Sequence, residues 1–121
     1  MRQISIEAAT ALMRHKKFKR SNTEVVIMKS GAAHMKLFGN LIACHEADGT
    51  LKITNCGYST VTTKDRLNAL PYVSIYQKDG AWYLNDESWD GDWDIVYNPD
   101  PDGKQWGRIP NTDESIEEVI A

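Results

Sequence analysis

The sequence predicts an α+β fold with an antiparallel sheet of about six strands, made of a meander and a hairpin, against which two helices pack. Three observations predict it: turn dipeptides separate short β-favouring runs, helical periodicity flanks the meander, and 121 residues suit one domain. We therefore expect a single α+β domain over residues 1–121, in which residues 86–121 form an acidic, loop-rich extension.

Two helices are expected. The first spans residues 6–18, with Ser5 as its N-cap and cations in its last turns, where they suit the negative end of the helix dipole. The second spans residues 63–70, because the run Thr62-Thr63-Lys64-Asp65 has the form of a capping box and Pro71 ends the helical pattern.

The centre of the chain is predicted to form a meander. Gly39-Asn40 and Asp48-Gly49 are favoured two-residue hairpin turns, and they join three strands between residues 33 and 56. A strand rich in β-branched residues, at positions 23–29, precedes the meander.

The predicted register of the meander places Phe38 opposite Leu41. It collects apolar side chains on one face of the sheet, namely Met35, Leu37, Ile42, Cys44, Leu51 and Ile53. It also places Cys56 on the face opposite Cys44, so that the two thiols cannot bridge, and His45 on the outer face.

A separate hairpin is predicted around Asp79-Gly80, with Lys78 opposite Ala81. This register gives the hairpin an apolar face and a tyrosine face. The apolar face holds Val73, Ile75, Trp82 and Leu84, and the other holds Tyr72, Tyr76 and Tyr83. One more strand is expected near residues 95–97.

Charge is distributed unevenly along the chain. Residues 1–80 hold 12 Lys and Arg against 6 Asp and Glu, a balance of +6, whereas residues 81–121 hold 2 against 11, a balance of −9. The net charge of −3 therefore conceals a dipolar molecule. Such a field governs association and the choice of partner rather than the fold.

No catalytic, metal-binding or cofactor-binding motif is recognisable, so we predict a non-enzymatic protein without a cofactor. The longest apolar runs, such as residues 41–44, fall far short of the roughly 20 residues that span a bilayer. The first residues do not resemble a signal peptide, and two cysteines make no disulfide framework. We expect an intracellular protein that does not associate with membranes.

The acids that follow Asp86 invite a calcium hypothesis, because they alternate as in an EF-hand loop. Position 12 of that pattern is Tyr97 instead of a bidentate Glu, however, and neither flank reads as a helix. A solvated acidic loop is the favoured interpretation, and we predict no metal site.

Several runs, taken in order, resemble a group of small uncharacterised proteins of tailed bacteriophages. The runs lie at 39–43, 51–54, 62–70, 77–78, 82–85 and 89–91. The most specific is Thr-Thr-Lys-Asp-Arg-Leu-Asn at 62–68, whereas Tyr58 departs from a Trp that is common in those proteins. The resemblance implies no catalytic residue. It implies a phage accessory protein that acts in the cytoplasm of the infected bacterial host and binds host machinery or a defence system.

The last third of the chain supplies the predicted partner-binding surface. Its residues are Trp89, Asp90, Asp92, Trp93, Asp94, Asp100, Asp102 and Trp106. Tryptophan is a frequent interface anchor, and carboxylates steer association toward a basic surface. The predicted partner is a host or anti-phage defence protein with a basic surface, engaged in part by mimicry of nucleic acid. The competing interpretation is that Trp89 and Trp93 belong to the core.

A nucleic-acid-binding protein is the alternative prediction. Its binding site would be a basic cluster at the end of the first helix, made of Arg14, Lys16, Lys17, Lys19 and Arg20. These cations could neutralise phosphates. The competing interpretation is that the acidic segment lies over the basic cluster and neutralises it within the molecule.

Overall fold

A computed structural model describes residues 1–99 of the protein. Three residues of the predicted partner-binding surface, Asp100, Asp102 and Trp106, lie outside the described residues. Within residues 1–99 the chain forms two helices, a six-stranded antiparallel sheet and a three-stranded antiparallel sheet. The predicted α+β fold class is confirmed.

Along residues 1–99, a first helix precedes five strands and a second helix precedes four more. The helices are α1 (Gln3–Met13) and α2 (Val61–Asn68). The strands are β1 (Phe18–Arg20), β2 (Thr23–Ile27), β3 (Ala33–Leu37), β4 (Asn40–His45), β5 (Leu51–Ile53), β6 (Ile75–Lys78), β7 (Ala81–Leu84), β8 (Glu87–Ser88) and β9 (Asp94–Tyr97). The main sheet has the order β1-β2-β3-β4-β5-β9, and the second sheet has the order β6-β7-β8.

The hairpin of β6 and β7 belongs to the second sheet, which corrects the prediction that it shares a sheet with the meander. Its turn is as predicted, since Asp79-Gly80 has φ angles of 54° and 83° and Lys78 pairs with Ala81. The start of β6 is held by α2, because the Asn68 amide donates to the Ile75 carbonyl at 2.9 Å and accepts from the Ile75 N–H at 2.7 Å. The hairpin is thereby joined to a helix instead of an edge of the main sheet.

One core serves both sheets. Helix α1 contacts β2 and β3, and α2 contacts β4 and β6. The buried cluster contains Leu12, Val25, Met35, Ile53 and Leu67 together with Ile75, Trp82, Leu84 and Trp89 of the hairpin and its continuation. The second sheet is therefore packed on the same apolar centre as the main sheet.

The first turn of the meander is shifted by one residue from its predicted position. Leu37 pairs with Asn40, so Phe38 and Gly39 form the loop, with φ angles of 52° and 81°. A β-bulge follows between Met35 and Lys36, where two residues of one strand oppose one of the other. Because the bulge compensates for the shifted turn, most of the side chains predicted on the apolar face still lie in the core. These are Met35, Leu37, Ile42, Leu51 and Ile53.

The second turn of the meander is a three-residue loop instead of the predicted two-residue turn. The Gly49 N–H donates to the Glu46 carbonyl at 3.0 Å and Gly49 has φ +99°, the arrangement of a turn with a glycine bulge. Cys44 consequently pairs with Lys52 and lies on the face opposite the predicted one. His45 pairs with Leu51, which corrects its predicted place on the outer face.

Helix α1 ends five residues before its predicted end, at Met13. The His15 N–H donates to the Leu12 carbonyl and the Lys16 N–H to the Ala11 carbonyl, while His15 has φ 55°. This is the Schellman arrangement that terminates helices. The basic cluster therefore does not sit on the last turns of a helix, because its later members belong to β1 and the turn before it.

Both helices begin at residues other than the predicted caps. Arg2 is the N-cap of α1, and Ser5 is buried in its first turn. Thr60 is the N-cap of α2, where its hydroxyl accepts from the Thr63 N–H at 3.1 Å. The predicted capping box at 62–65 thus lies inside α2.

Candidate functional site

The candidate site is an open groove of about 460 Å³ at the end of the main sheet where β9 begins. It is lined by Leu41, by residues 54–57 after β5, and by residues 90–93 before β9. We use the term acidic rim for Asp90, Asp92, Trp93 and Asp94. The structure therefore brings together the described members of the predicted partner-binding surface, with one exception.

Trp89 is that exception. Its side chain is only 9% exposed and belongs to the core, with its ring centroid 6.2 Å from that of Trp82. The indole N–H donates to the Asp92 carbonyl at 2.9 Å, so the polar atom is also satisfied. Trp89 therefore fixes the loop of residues 90–93 to the core. The prediction that Trp89 is an interface anchor is wrong.

Trp93 differs from Trp89 in being 44% exposed. Its ring lies 5.8 Å from the Lys52 ammonium, and the same ammonium is 2.9 Å from a Glu46 carboxylate oxygen. The indole face thus already attracts a cation of the chain itself. Because it is exposed and attracts cations, the Trp93 indole is also suited to contact a cationic side chain of a partner.

The loop that carries the rim depends on a glycine. The Gly91 carbonyl accepts from the Thr54 hydroxyl at 2.7 Å and from the Asn55 N–H at 2.9 Å. Gly91 has φ +91°, and a Cβ added to it would lie 2.2 Å from the Asn55 amide nitrogen. Glycine is therefore required here for two reasons, the backbone conformation and the close approach of Asn55.

Two carboxylates of the rim are oriented by the backbone next to them. An oxygen of Asp90 accepts from the Asp92 N–H at 2.9 Å, and an oxygen of Asp92 accepts from the Trp93 N–H at 2.8 Å. The side chains of Asp90, Asp92 and Asp94 are exposed. A carboxylate has about four acceptor positions, so each retains acceptor capacity toward solvent or a partner.

The basic cluster lies at the other edge of the main sheet. Its five side chains are all exposed. Arg20 forms an ion pair with Glu7 of α1, and Lys19 lies 4.0 Å from Glu24. Strands β1 and β9 are five strand spacings apart, about 24 Å. The acidic rim therefore does not cover the basic cluster, and the two charged regions remain separate.

The run at 62–68, which is the most specific part of the phage resemblance, has a structural role: two of its residues form a hydrogen-bond network. Arg66 is 1% exposed and donates to the Thr23 hydroxyl at 2.8 Å, the Ser5 hydroxyl at 2.8 Å and the Asn22 amide oxygen at 3.2 Å. Asp65 accepts from the Ser5 hydroxyl and lies 3.7 Å from Arg66. The network joins α1, α2 and the start of β2, and it lies apart from the groove.

His15 and His45 form a contact that the sequence did not suggest. His15 Nδ1 lies 2.7 Å from the Gly31 carbonyl oxygen, and His15 Nε2 lies 2.9 Å from His45 Nδ1. Because a carbonyl only accepts, His15 Nδ1 carries a hydrogen, and in a neutral pair His45 is the donor to His15. Burial and then the neighbouring His15 lower the pKa of His45.

Two pairs of tyrosines form stacks at the surface. The rings of Tyr76 and Tyr83 stack at 5.3 Å, and those of Tyr72 and Tyr97 stack at 4.6 Å. Burial, followed by the Asp86 carboxylate, raises the pKa of Tyr76. The second stack connects the segment before β6 to the end of β9, and so to the strand that follows the rim.

Metal ligands do not converge in the described part of the chain. Among residues 1–99, no three side chains of His, Cys, Asp or Glu are placed so as to hold a metal ion. In the same part of the chain, neither α1 nor α2 has the length and apolar character of a membrane span.

Comparisons with known proteins identify the class as bacteriophage protein. Residues 1–101 match the family model described as Kyanoviridae Gp96 protein, a family of phage proteins. The chain belongs to the Kyanoviridae Gp96 family, and the resemblance to uncharacterised phage proteins is confirmed. The searches of curated proteins and of solved structures gave no match.

Proposed function

We propose that the protein is a phage accessory protein that binds a host or anti-phage defence protein through the acidic rim and thereby modulates or inhibits it. Its proposed location is the cytoplasm of the infected bacterium. The observation that supports the proposal is the exposed indole of Trp93, which stands among three exposed carboxylates beside an open groove.

The chemistry of the rim favours a partner rich in arginine or lysine. A guanidinium pairs with carboxylates as it does with phosphates, and it stacks on an indole face. A protein surface built to hold nucleic acid therefore offers the groups that the rim can bind. In this form of mimicry, Asp90, Asp92 and Asp94 take the place of phosphates and Trp93 supplies the apolar contact.

The electrostatic arrangement supports a field that extends into solvent. The basic cluster lies about 24 Å away across the main sheet, well beyond the roughly 8 Å over which physiological salt screens exposed charges. Lys52, which lies near Trp93, is itself paired with Glu46. The rim thus keeps a negative character that would steer a basic partner toward the groove.

The test is a pull-down of the tagged full chain from infected cells, with and without nuclease. We expect one protein to be retained after nuclease by the wild type and lost by Asp90→Asn/Asp92→Asn/Asp94→Asn. The matched control Asp48→Asn/Asp79→Asn/Glu87→Gln removes the same charge at exposed positions away from the rim and should retain it. Equal retention by the rim variant and the control contradicts the proposal.

Nucleic-acid binding through the basic cluster is the second candidate, supported by five exposed cations close together in the chain. It is less well supported, because Arg20 and Lys19 already contact carboxylates of the chain itself. In the same experiment it predicts that nuclease releases everything bound. It also predicts that Lys16→Gln/Lys17→Gln/Lys19→Gln weakens binding to DNA or RNA and flattens its salt dependence.

A further inference from the structure

The two edges of the main sheet carry opposite charge. Strand β1 pairs only with β2 among the described strands, and β9 pairs only with β5. Lys19 and Arg20 lie in β1 after Lys16 and Lys17, whereas Asp94 opens β9 after Asp90 and Asp92. An edge strand presents unpaired backbone N–H and C=O groups to any strand that can approach it.

We infer that a second copy of this chain is a partner of these edges: β9 of one copy pairs with β1 of the next, so that the main sheet continues from molecule to molecule. The interface is heterologous, since it joins two different surfaces of the same chain. The inference does not rest on the proposed binding of a host or defence protein, although Asp94 belongs to both surfaces.

The direction of the strands permits this pairing. The six strands are antiparallel throughout, so β1 and β9 run in opposite directions within one sheet. A copy placed alongside in the same orientation therefore brings its β1 antiparallel to β9. The face of the sheet that packs on α1 also stays on the same side in both copies.

The side chains agree with one register of that pairing. Aligned antiparallel, Arg20 lies opposite Asp94, Lys19 opposite Ile95, and Phe18 opposite Val96. Phe18 and Val96 are both half-buried and pack against the core of their own molecule, so the register places them on the same face. Cross-strand pairs of opposite charge and of apolar side chains are those that stabilise antiparallel sheets.

Charge also favours this pairing over the other pairings of edges. Two β1 strands paired antiparallel in full register would place Lys19 opposite Lys19 and Arg20 opposite Phe18, whereas two β9 strands would place Asp94 opposite Tyr97. Like charges directly opposite each other destabilise a sheet, so charge disfavours the β1 pair, and of the three pairings only the head-to-tail one places opposite charges together. The contact has only about three residue pairs and is therefore expected to be weak and dependent on concentration.

The experiment is sedimentation velocity of the full chain over a concentration series at about 0.05 M and 0.5 M salt, between which the Debye length falls from about 14 Å to about 4 Å. We expect the weight-average sedimentation coefficient to rise with concentration at low salt and the rise to diminish at high salt. A wild type that stays monomeric at every concentration in low salt, or that associates equally at both salts, overturns the inference.

Charge changes at each edge sharpen the test. Lys17→Glu/Lys19→Glu takes the charge of residues 16–20 from +4 to 0 and leaves the Arg20–Glu7 ion pair intact, whereas Asp92→Lys/Asp94→Lys takes the charge of residues 90–94 from −3 to +1. Each variant alone should lose the association, because its two edges no longer carry opposite charge. An equimolar mixture should regain it, because the unaltered β9 edge of the first variant then meets the unaltered β1 edge of the second. A mixture that remains monomeric overturns the inference, as does either variant that associates like the wild type.

Control variants carry the same charge changes away from the edges. Lys29→Glu/Lys78→Glu matches the first variant, and Asp48→Lys/Glu87→Lys matches the second, including the loss of one side-chain bond to the backbone, since Asp48 accepts from the Thr50 N–H. Both controls should associate like the wild type. Circular dichroism checks that each variant is folded. If a variant is not folded, the salt dependence of wild-type association tests the inference.

Discussion

The guanidinium of Arg66 on α2 donates a hydrogen bond of 2.8 Å to the Ser5 hydroxyl in the first turn of α1, across 61 positions of the chain. The same group binds Thr23 and Asn22, so one side chain connects both helices to the entrance of β2. An isolated buried cation would be costly, but this one has three acceptors and the nearby Asp65 carboxylate.

Removal of that guanidinium should destabilise the protein strongly. We expect Arg66→Met to lower the free energy of unfolding by about 3 kcal/mol or more, because Ser5, Thr23 and Asp65 lose a buried partner. The measurement is urea unfolding followed by circular dichroism. Lys64→Met is the control on the same helix; it loses a cation contact with Trp82 worth about 1 kcal/mol or less. Equal losses of unfolding free energy for the two variants would contradict the proposed contribution of the Arg66 network to stability.

The loop beneath the rim should be sensitive to a single methyl group. Gly91→Ala brings a Cβ to 2.2 Å from the Asn55 amide nitrogen, whereas Gly39→Ala, at φ +81°, meets no atom within 4 Å. Both substitutions incur the left-handed penalty of roughly 1–2 kcal/mol. We expect Gly91→Ala to cost about 1–3 kcal/mol more in urea unfolding, since the loop must move.

Truncation of Asn55 provides a check on that explanation. If the clash with Asn55 is the cause, Gly91→Ala should cost less in an Asn55→Ala background than in the wild type. Additive losses in the double variant would show that the close approach is not the cause.

Substitution of Trp89 should affect mainly the stability of the fold, whereas substitution of Trp93 should affect mainly partner binding. Trp89→Ala removes a core side chain and should cost about 3–5 kcal/mol in thermal or urea unfolding. Trp93→Ala should cost about 1 kcal/mol or less and should weaken retention of the partner in the pull-down, because its indole is 44% exposed and lies outside the core. If Trp93→Ala destabilised the fold more than Trp89→Ala, or left retention of the partner unchanged, Trp93 would not be the interface anchor.

Stability should fall on mild acidification. Burial lowers the pKa of His34 and of His45 from the ordinary value of 6.5. Between the lowered pKa and 6.5 the unfolded chain binds more protons than the folded chain, so this stability is present above pH 6.5 and is lost as the pH falls through the folded pKa. Urea unfolding at a series of pH values from 7.5 to about 5 measures the loss.

The double variant His34→Gln/His45→Gln should show a flatter dependence over the same range. At more acidic pH a further loss should come from Asp65. Burial raises the pKa of the Asp65 carboxyl, but the hydrogen bonds from the Ser5 hydroxyl and the Arg2 N–H, together with the positive charges of the N-terminus and Arg66, lower it by more, so the net shift is downward. Stability that increases from pH 7.5 to pH 5 would contradict the assigned shifts.

The turns show how far local sequence determines the fold. Asp79-Gly80 is found as predicted because both residues tolerate positive φ and no bulge intervenes. The loop at Phe38-Gly39 escaped prediction because an aromatic residue rarely adopts φ 52°, and the bulge at Met35 that accompanies it has no signature in a dipeptide. Together with the three-residue loop at the second turn of the meander, that bulge also moved Cys44 to the opposite face of the sheet.

The candidate site was predictable in part. Alternating acids and an adjacent tryptophan marked the loop at 90–94, but the choice between Trp89 and Trp93 depends on how each ring packs. Trp89 packs on Trp82, and Trp93 lies near Lys52, which is distant from it in the sequence. The partners of Arg66 lie 43 to 61 positions away, so no local pattern pointed to them. Long-range side-chain contacts account for what the sequence alone did not give.

The bond between Asn68 and Ile75 has a consequence for how the molecule opens. The Ile75 N–H is held by the side chain of Asn68 at the end of α2, so its hydrogen can exchange with deuterium when this contact between helix and hairpin opens. Isotope uptake at that one amide therefore reports the opening of the contact between the end of α2 and the start of the second sheet.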